Sequence, residues 1–185
     1  ATGSNRVSVD FALADVNADG ALDVVTANRA SDDISVLLSN GSGGFGRATA
    51  FLAGGEFAES VALADVNGDG ALDVVTANFL YGVGLLLGNG TGRFGRATAF
   101  FAGDGPQAVA LADVNADGAL DVVTANAVSD DISVLLNSGV QGRIAFAAPT
   151  TTFSTGSNRV PVDFALADVN ADGALAVVTA NPPSG

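Results

Sequence analysis

Apolar residues recur along the chain in short runs that are separated by glycine, aspartate and asparagine. VSVDFALA (7–14) alternates large and small side chains, LDVVTAN (22–28) is short and β-branched, ISVLL (34–38) is apolar, and GRATAFLAG (46–54) alternates again. Such runs are typical of β-strands, and the Asn-Gly pair in SNGSGGFG (39–46) is typical of a hairpin turn. Because no segment has a sustained period of 3.6 residues, the pattern predicts an all-β fold with little helix.

One sixteen-residue phrase, LADVNADGALDVVTAN at 13–28, returns three more times with few changes. Its first Asp falls at positions 15, 65, 113 and 168, so the steps are 50, 48 and 55 residues. Four strand segments in about 50 residues fit a β-propeller blade better than a two-helix repeat. We predict a single repeat domain over 1–185, with three full blades of four antiparallel strands at about 7–54, 58–103 and 106–150, and a partial blade at 160–181.

Three and a half blades cannot close a ring, so the ends of the predicted array expose apolar faces. An uncovered face of roughly 400 Å² costs on the order of 10 kcal/mol at ~25 cal/mol per Å², which rivals the stability of a whole domain. We therefore expect other chain segments to cover these faces. Thr2–Asn28 and Thr155–Asn181 differ at two positions only, so the chain is one three-blade period plus the start of the next. Two chains could form a seven-bladed ring, head-to-tail contacts could build a filament, or the chain could be a piece of a longer propeller.

The acids of the repeated phrase stand at fixed, alternate positions of its loop. In DVNADGALD, oxygen-bearing side chains occupy positions 1, 3, 5 and 9, and Gly20 at position 6 permits a tight turn. Such a loop can direct its oxygens to one centre, and Ca²⁺ takes six to eight oxygen ligands from carboxylates, carboxamides and backbone carbonyls. Position 7 is the expected carbonyl donor. The first predicted calcium site comprises Asp15, Asn17, Asp19, Ala21 and Asp23.

The same set recurs twice in full and once in part. The second site comprises Asp65, Asn67, Asp69, Ala71 and Asp73. The third comprises Asp113, Asn115, Asp117, Ala119 and Asp121. The fourth retains Asp168, Asn170 and Asp172, but Ala176 replaces the ninth carboxylate, so we expect about three full calcium sites and a weakened fourth. The open alternative is an acidic turn in which Asp and Asn cap their own backbone. An EF-hand is excluded because position 12 is Thr26 and the flanking segments are strands.

The strand, acidic loop, strand and later GGFG (43–46) or GRFG (92–95) together resemble the FG-GAP or VCBS repeat of integrin-α-like propellers. The resemblance extends over essentially the whole chain. It implies β-propeller blades with calcium in the hairpin between the first and second strands, usually in closed rings of about seven blades, and a secreted or cell-surface location. Because adhesion receptors, lectins and parts of polysaccharide-degrading enzymes share these repeats, the resemblance leaves the ligand open.

Charge and residue usage narrow the classes of function. The formal net charge of -13 disfavours nucleic acid and anionic lipid as partners, and no apolar run approaches the ~18 residues of a membrane helix. Because His and Cys are absent, the common catalytic bases and nucleophiles are missing. Glu56 and Glu59 remain as a carboxylate pair, for which solvated loop charges are the alternative. We predict a protein that is not an enzyme. The absence of Met leads us to expect a processed form or a segment of a longer chain.

Two further features are candidate contact or modification sites. Blade 2 carries Phe79, Leu80 and Tyr81 on a strand connection where the other blades carry Ser-Asp-Asp; these side chains could stack on a sugar ring or pack against a neighbouring loop or subunit. Asn40 and Asn89 match the N-glycosylation acceptor and equally suit Asn-Gly turns.

Our sequence-based hypothesis is an extracellular or cell-surface, calcium-binding propeller module that associates with itself and has a structural or adhesive role. The alternative is a lectin-like module that binds glycans. In either case the partner is a second copy of the chain, a glycan or a surface protein.

Overall fold

The computed structural model describes residues 7–138, 144, 146, 151–156 and 160–181. Within this part the protein is all-β, with a single 3-10 turn at Arg29–Ser31, which confirms the predicted fold class. None of the described residues lies in a helix with the length and apolar content that a membrane crossing requires.

The strands form three four-stranded antiparallel sheets and one two-stranded sheet. Blade 1 consists of β1 (Ser8–Ala14), β2 (Asp23–Asn28), β3 (Asp33–Leu37) and β4 (Thr49–Leu52). Blade 2 consists of β5 (Glu56–Ala64), β6 (Asp73–Leu80), β7 (Gly82–Leu86) and β8 (Thr98–Phe100). Blade 3 consists of β9 (Pro106–Ala112), β10 (Asp121–Asn126), β11 (Asp131–Leu135) and β12 (Thr151–Ser154). The half-blade consists of β13 (Asp163–Ala167) and β14 (Ala176–Ala180). The predicted end of the third blade, at residue 150, lies outside the described residues.

Each blade packs against the next blade along the chain, because the strands are apolar on both faces. In β6, Val74 belongs to the core shared with blade 1, whereas Val75 belongs to the core shared with blade 3. A third, smaller core lies between blade 3 and the half-blade, where Phe164 and Leu166 are only partly buried. The array therefore has two well-covered interfaces and one that a two-stranded sheet covers in part.

A phenylalanine in the connection before the fourth strand links each of blades 2 and 3 to the blade before it. Phe94 packs edge-to-face on Phe51 of blade 1, with ring centroids 5.6 Å apart. Phe146 does the same with Phe100 of blade 2, at 4.7 Å. The Phe of the repeated Phe-Gly motif thus contributes to the contact between blades.

Blades 1 and 3 each contain a buried polar network centred on the Asn that ends the second strand. In blade 3, Asn126 donates to Asp131 at 2.6 Å and to Ser133 at 2.8 Å, and it accepts from Thr124 at 2.9 Å. Asn28 of blade 1 makes the equivalent contacts. A fully paired polar cluster of this kind fixes the register of the second and third strands.

Blade 2 has lost this network, because glycines replace the Asp and Ser partners. Gly82 and Gly84 face Asn78 and Thr76 across the strand pair. A side chain at Gly84 would collide with the carbonyl of Ala53. Asn78 donates only a long bond to that carbonyl, at 3.3 Å, and its buried Oδ1 has no partner among the described residues. The inter-blade approach of Ala53 has replaced the internal network.

We expect Asn126→Ala to lower the free energy of unfolding by about 1–3 kcal/mol more than Asn78→Ala does, because only the first substitution leaves buried partners unpaired. Both side chains are fully buried, so the cavities they leave are similar and largely cancel in the comparison. Urea unfolding of the two variants beside the parent protein measures the difference. Equal losses would contradict the structural importance of the network.

Candidate metal centres

The acidic loops lie at the same place in every sheet, between the first and the second strand. The backbone enters the left-handed region at loop position 4 in each case, with φ of 58° at Ala18, 60° at Ala116 and 60° at Ala171, whereas the second loop has Gly68 there at 73°. Position 6 is a glycine with φ near 87–89° in all four loops. These two positive-φ residues turn the loop back on itself, so the acids at positions 1, 3 and 5 lie close together.

The acids hold the loop through its own backbone N–H groups. Asp15 accepts hydrogen bonds from Asp19 N at 3.1 Å and from Gly20 N at 2.7 Å. The Asn17 amide donates to Asp19 at 2.8 Å, and Asp19 accepts from Ala21 N at 2.9 Å. The second, third and fourth loops repeat the bonds from positions 5 and 6 to the first acid and the bond from the Asn amide to the fifth position.

The ninth carboxylate occupies a different environment from the other acids. Asp23 is fully buried; it accepts from Val16 N at 3.0 Å, within the loop, and from Ser39 N at 2.7 Å, just after β3. Asp73 and Asp121 make the same two bonds in their blades, with N···O distances between 2.8 and 3.0 Å. The ninth carboxylate therefore connects the acidic loop to the end of the third strand. Sequence reasoning missed this role, since a ligand and a clamp both require a carboxylate.

The pKa values of the acids reflect these two environments. The N–H of Gly20 holds the pKa of Asp15 below its usual value, and the N–H of Gly173 does the same for Asp168. Burial raises the pKa of Asp73 and of Asp121, while their N–H donors act in the opposite direction. The charges of the other loop acids add to the increase, so the carboxylates of one loop repel each other.

The fourth loop shows which positions determine the loop conformation. Ala176 replaces the ninth acid, yet Asp172 N still donates to Asp168 at 3.2 Å and Gly173 N donates to it at 2.9 Å. The turn thus forms without the ninth carboxylate. What is lost is the connection to a third strand, and β14 has no third strand beside it in the described sheet.

The donor set of the loops suits a hard cation. Each of the first three loops offers carboxylate oxygens, an Asn carboxamide and a backbone carbonyl, which are the ligands that Ca²⁺ takes. Within the described residues, however, no three acidic side chains come together as a ready-made centre, because the ninth carboxylate faces the backbone. The close oxygens are those of positions 1, 3 and 5. Their hydrogen bonds use one side of each oxygen, and the remaining lone pairs are free for a cation.

The aromatic segment of blade 2 lies in a groove between blades 2 and 3. The groove has a volume of about 360 Å³, and Phe79, Leu80 and Tyr81 line it together with Phe101, Gly103, Asp104, Gly105 and Val128. Tyr81 is 67% exposed, and its φ of 82° is unusual for a bulky residue. Sequence reasoning missed the blade 3 side of this groove, and the stacking of consecutive blades is the signal that could have found it.

The remaining candidate residues have local structural roles. Asn40 and Asn89 are exposed, and the Oδ1 of each accepts a backbone N–H two residues further on, at 3.0 and 3.1 Å, so both form the predicted turns; their glycosylation stays a prediction. Glu59 pairs with Arg29 at 2.8 Å and so links blade 2 to blade 1. Glu56 is exposed at the start of β5.

Comparison with known proteins identifies one family. The sequence profile of the FG-GAP-like repeat matches residues 15–76, 65–124 and 113–179, and each match begins at the first Asp of an acidic loop. No curated protein matches the chain. Nine solved chains do match. One is an Agrocybe aegerita lectin described as recognising non-reducing terminal N-acetylglucosamine; it is 23% identical, with a TM-score of 0.48 over 77% of this chain and 37% of the lectin. The chain thus spans about a third of that protein.

The clamp role of the ninth carboxylate can be separated from metal binding in calcium-free buffer. We expect Asp73→Ala to lower the free energy of unfolding by about 2–5 kcal/mol in the presence of a chelator, because the N–H groups of Val66 and Gly88 lose their acceptor. Asp69→Ala in the same loop is the matched control and should change it much less, since Asp69 is exposed. Urea unfolding measures both. Equal effects would show that Asp73 is not a clamp.

Proposed function

The chain belongs to the FG-GAP-like repeat family, and from this premise we propose that it is a non-enzymatic, calcium-binding β-propeller module with a structural or adhesive role. It works outside the cell or at the cell surface, and it associates with further copies of itself. The observation that carries the proposal is the loop whose turn and acid contacts are the same in all four sheets. Three of these loops keep the ninth carboxylate beside the other acids.

The electrostatics of the loops support a bound cation. Acids at positions 1 and 5 share a turn of six residues, and among the described residues no basic side chain forms an ion pair with a loop acid. A divalent cation would relieve the repulsion between these carboxylates. In the first site it would be held by Asp15, Asn17, Asp19 and the Ala21 carbonyl, with Asp23 closing the set from behind.

Self-association is supported by the apolar faces at the two ends of the array. Phe11 and Leu13 on β1 are 63% and 53% exposed, and Val178 on β14 is 52% exposed. Their counterparts inside the array, such as Val61 of β5 and Val75 of β6, are at most 6% exposed. Exposed apolar sheet faces of this kind are typical of protein interfaces.

Titration calorimetry should find about three Ca²⁺ ions per chain. A site that is saturated at 100 times its Kd contributes about 2.7 kcal/mol to stability, and 1 kcal/mol is worth about 2–4 °C in a domain of this size. Chelation should therefore lower the melting temperature by at least about 10 °C. An unchanged melting temperature would count against structural calcium.

Ala176→Asp should raise the calcium stoichiometry toward four, because it restores the ninth carboxylate of the fourth loop. Ala165→Asp is the matched control; it adds the same charge to an exposed position of the same sheet, outside the loop. If both variants have the stoichiometry of the parent protein, the ninth position does not contribute to the site.

A glycan-binding role is the second candidate, and the groove at Tyr81 favours it. Aromatic rings beside a carboxylate, here Tyr81 and Phe101 with Asp104, can stack on a sugar face and accept its hydroxyl hydrogens. On this hypothesis the partner is a saccharide rather than a protein.

Tyrosine fluorescence tests the second candidate, because Tyr81 is the only Tyr and the chain has no Trp. We expect titration with a panel of mono- and disaccharides to change the emission. Tyr81→Gly should abolish binding of the same sugar in calorimetry without destabilising the fold, since glycine tolerates a φ of 82°. Binding that survives Tyr81→Gly would place the sugar elsewhere.

A further inference from the structure

The aromatic pair between consecutive blades is built in the same way at both complete interfaces. One ring comes from the fourth strand of the earlier blade, as Phe51 and Phe100 do, and the other comes from the connection within the later blade, as Phe94 and Phe146 do. The ring planes are nearly perpendicular, at 85° and 89°. Each blade therefore offers one ring to the blade before it and one to the blade after it.

This pattern leaves one unmatched ring at each end of the array. Phe45 of blade 1 bridges to Ser39 just after β3, as Phe94 bridges to Gly88. Phe153 of blade 3 pairs with Ile132 in the sheet, as Phe51 pairs with Ile34 in blade 1. Phe45 is 49% exposed and Phe153 is 57% exposed. In the described part of the chain neither ring contacts another aromatic ring.

We propose that blade 1 of a second copy binds to blade 3, with Phe45 of that copy packed against Phe153. This inference rests on the self-association in the proposed function and specifies its interface. The partner is thus another molecule of the same chain, bound head to tail, and each copy carries both halves of the contact.

Blade 3 has room for the missing strands. A cavity of about 600 Å³ lies between blade 3 and the half-blade. Its walls include Val134 of β11 and Phe153 of β12 on one side, and Leu166 and Val177 of the half-blade on the other. It exists because the half-blade has only two strands, so nothing in the described sheet faces the outer strands of blade 3.

The half-blade shows how blade 1 of a second copy would fit. Its strands repeat the sequence of β1 and β2, so Phe164 and Leu166 are the counterparts of Phe11 and Leu13. Phe164 and Leu166 already pack on the exposed face of blade 3. The surface that Phe11 and Leu13 present to solvent is therefore one that blade 3 already accepts in the same molecule.

A second copy would displace the half-blade, because both occupy the same place. The inner strands contribute little to the balance, since the apolar residues uncovered in the half-blade equal those covered in blade 1. The gain comes from the outer strands. Leu37 corresponds to Leu86 and Leu135, which are buried at the complete interfaces, and Phe45 adds the third aromatic pair. The half-blade acts as a temporary cover.

The alternative arrangement keeps the half-blade in place and stacks blade 1 of the second copy on its outer face. That arrangement leaves Phe45 and Phe153 without partners, because the half-blade has neither a fourth strand nor a Phe-Gly connection in the described structure. Displacement pairs both rings, and on this ground we favour it.

Complementary variants of the full-length chain test the contact. In calcium-replete buffer, sedimentation velocity should show the parent chain growing beyond its 18.1 kDa monomer with concentration. Phe45→Asp and Phe153→Asp should each weaken self-association at least about tenfold, because a charge would be buried against a ring. An equimolar mixture of the two should form a 1:1 complex, since it retains one intact pair. Both positions are exposed, so the variants should fold, and circular dichroism checks this.

A second pair of variants tests displacement. Leu13→Ala should weaken association, because it removes a contact that the second copy makes. Leu166→Ala should strengthen it, because it loosens the competing half-blade. Opposite effects from the same residue type at equivalent repeat positions are expected only if the two strands compete for one surface. A weakening by Leu166→Ala would favour stacking on the half-blade and overturn our inference.

The outcomes separate the interface from the proposed function. If the parent chain associates but all four variants behave like it, the interface is wrong and self-association stands. If the parent chain is a monomer at every concentration, self-association and its interface both fail, while calcium stoichiometry still tests the remainder of the proposal.

Discussion

Each sheet of this protein is apolar on both faces, and the remainder of the structure follows from the need to cover both. Adjacent valines on the second strand point to opposite sides, as Val74 and Val75 do in β6. A sheet of this kind is stable only between two others. Blades 2 and 3 meet this condition within the chain, blade 2 fully and blade 3 through the half-blade. Blade 1 has one covered face, and its outer face determines what the molecule can bind.

The buried ninth carboxylate connects this packing to the acidic loops. It accepts one N–H from the loop and one from the end of the third strand, so the loop and the outer half of the blade share an anchor. A cation bound at the loop would share that carboxylate as well. In the proposed function, calcium would therefore act on the whole sheet and not only on the turn that surrounds it.

The sequence predicted the fold well and the site less completely. Short β-branched runs, turn residues and a period near 50 residues were enough for the antiparallel blades, and the family resemblance was confirmed by the repeat profile. The clamp at Asp23, Asp73 and Asp121 was not predictable, because spacing does not show which way a carboxylate faces. The groove at Tyr81 was half visible; its other wall, at Phe101 and Asp104, depends on which blade lies beside it.

The repetition of β1 and β2 in β13 and β14 has a consequence for how the chain folds. Either hairpin could in principle pair with β3, so a wrong pairing is available during folding. Pairing with β14 must close a loop of about 125 residues instead of the four between β2 and β3, which costs about 3 kcal/mol more in chain entropy. Ala176 adds to this discrimination, because it offers no acceptor to Ser39. The one acid missing from the last repeat thus favours the correct topology.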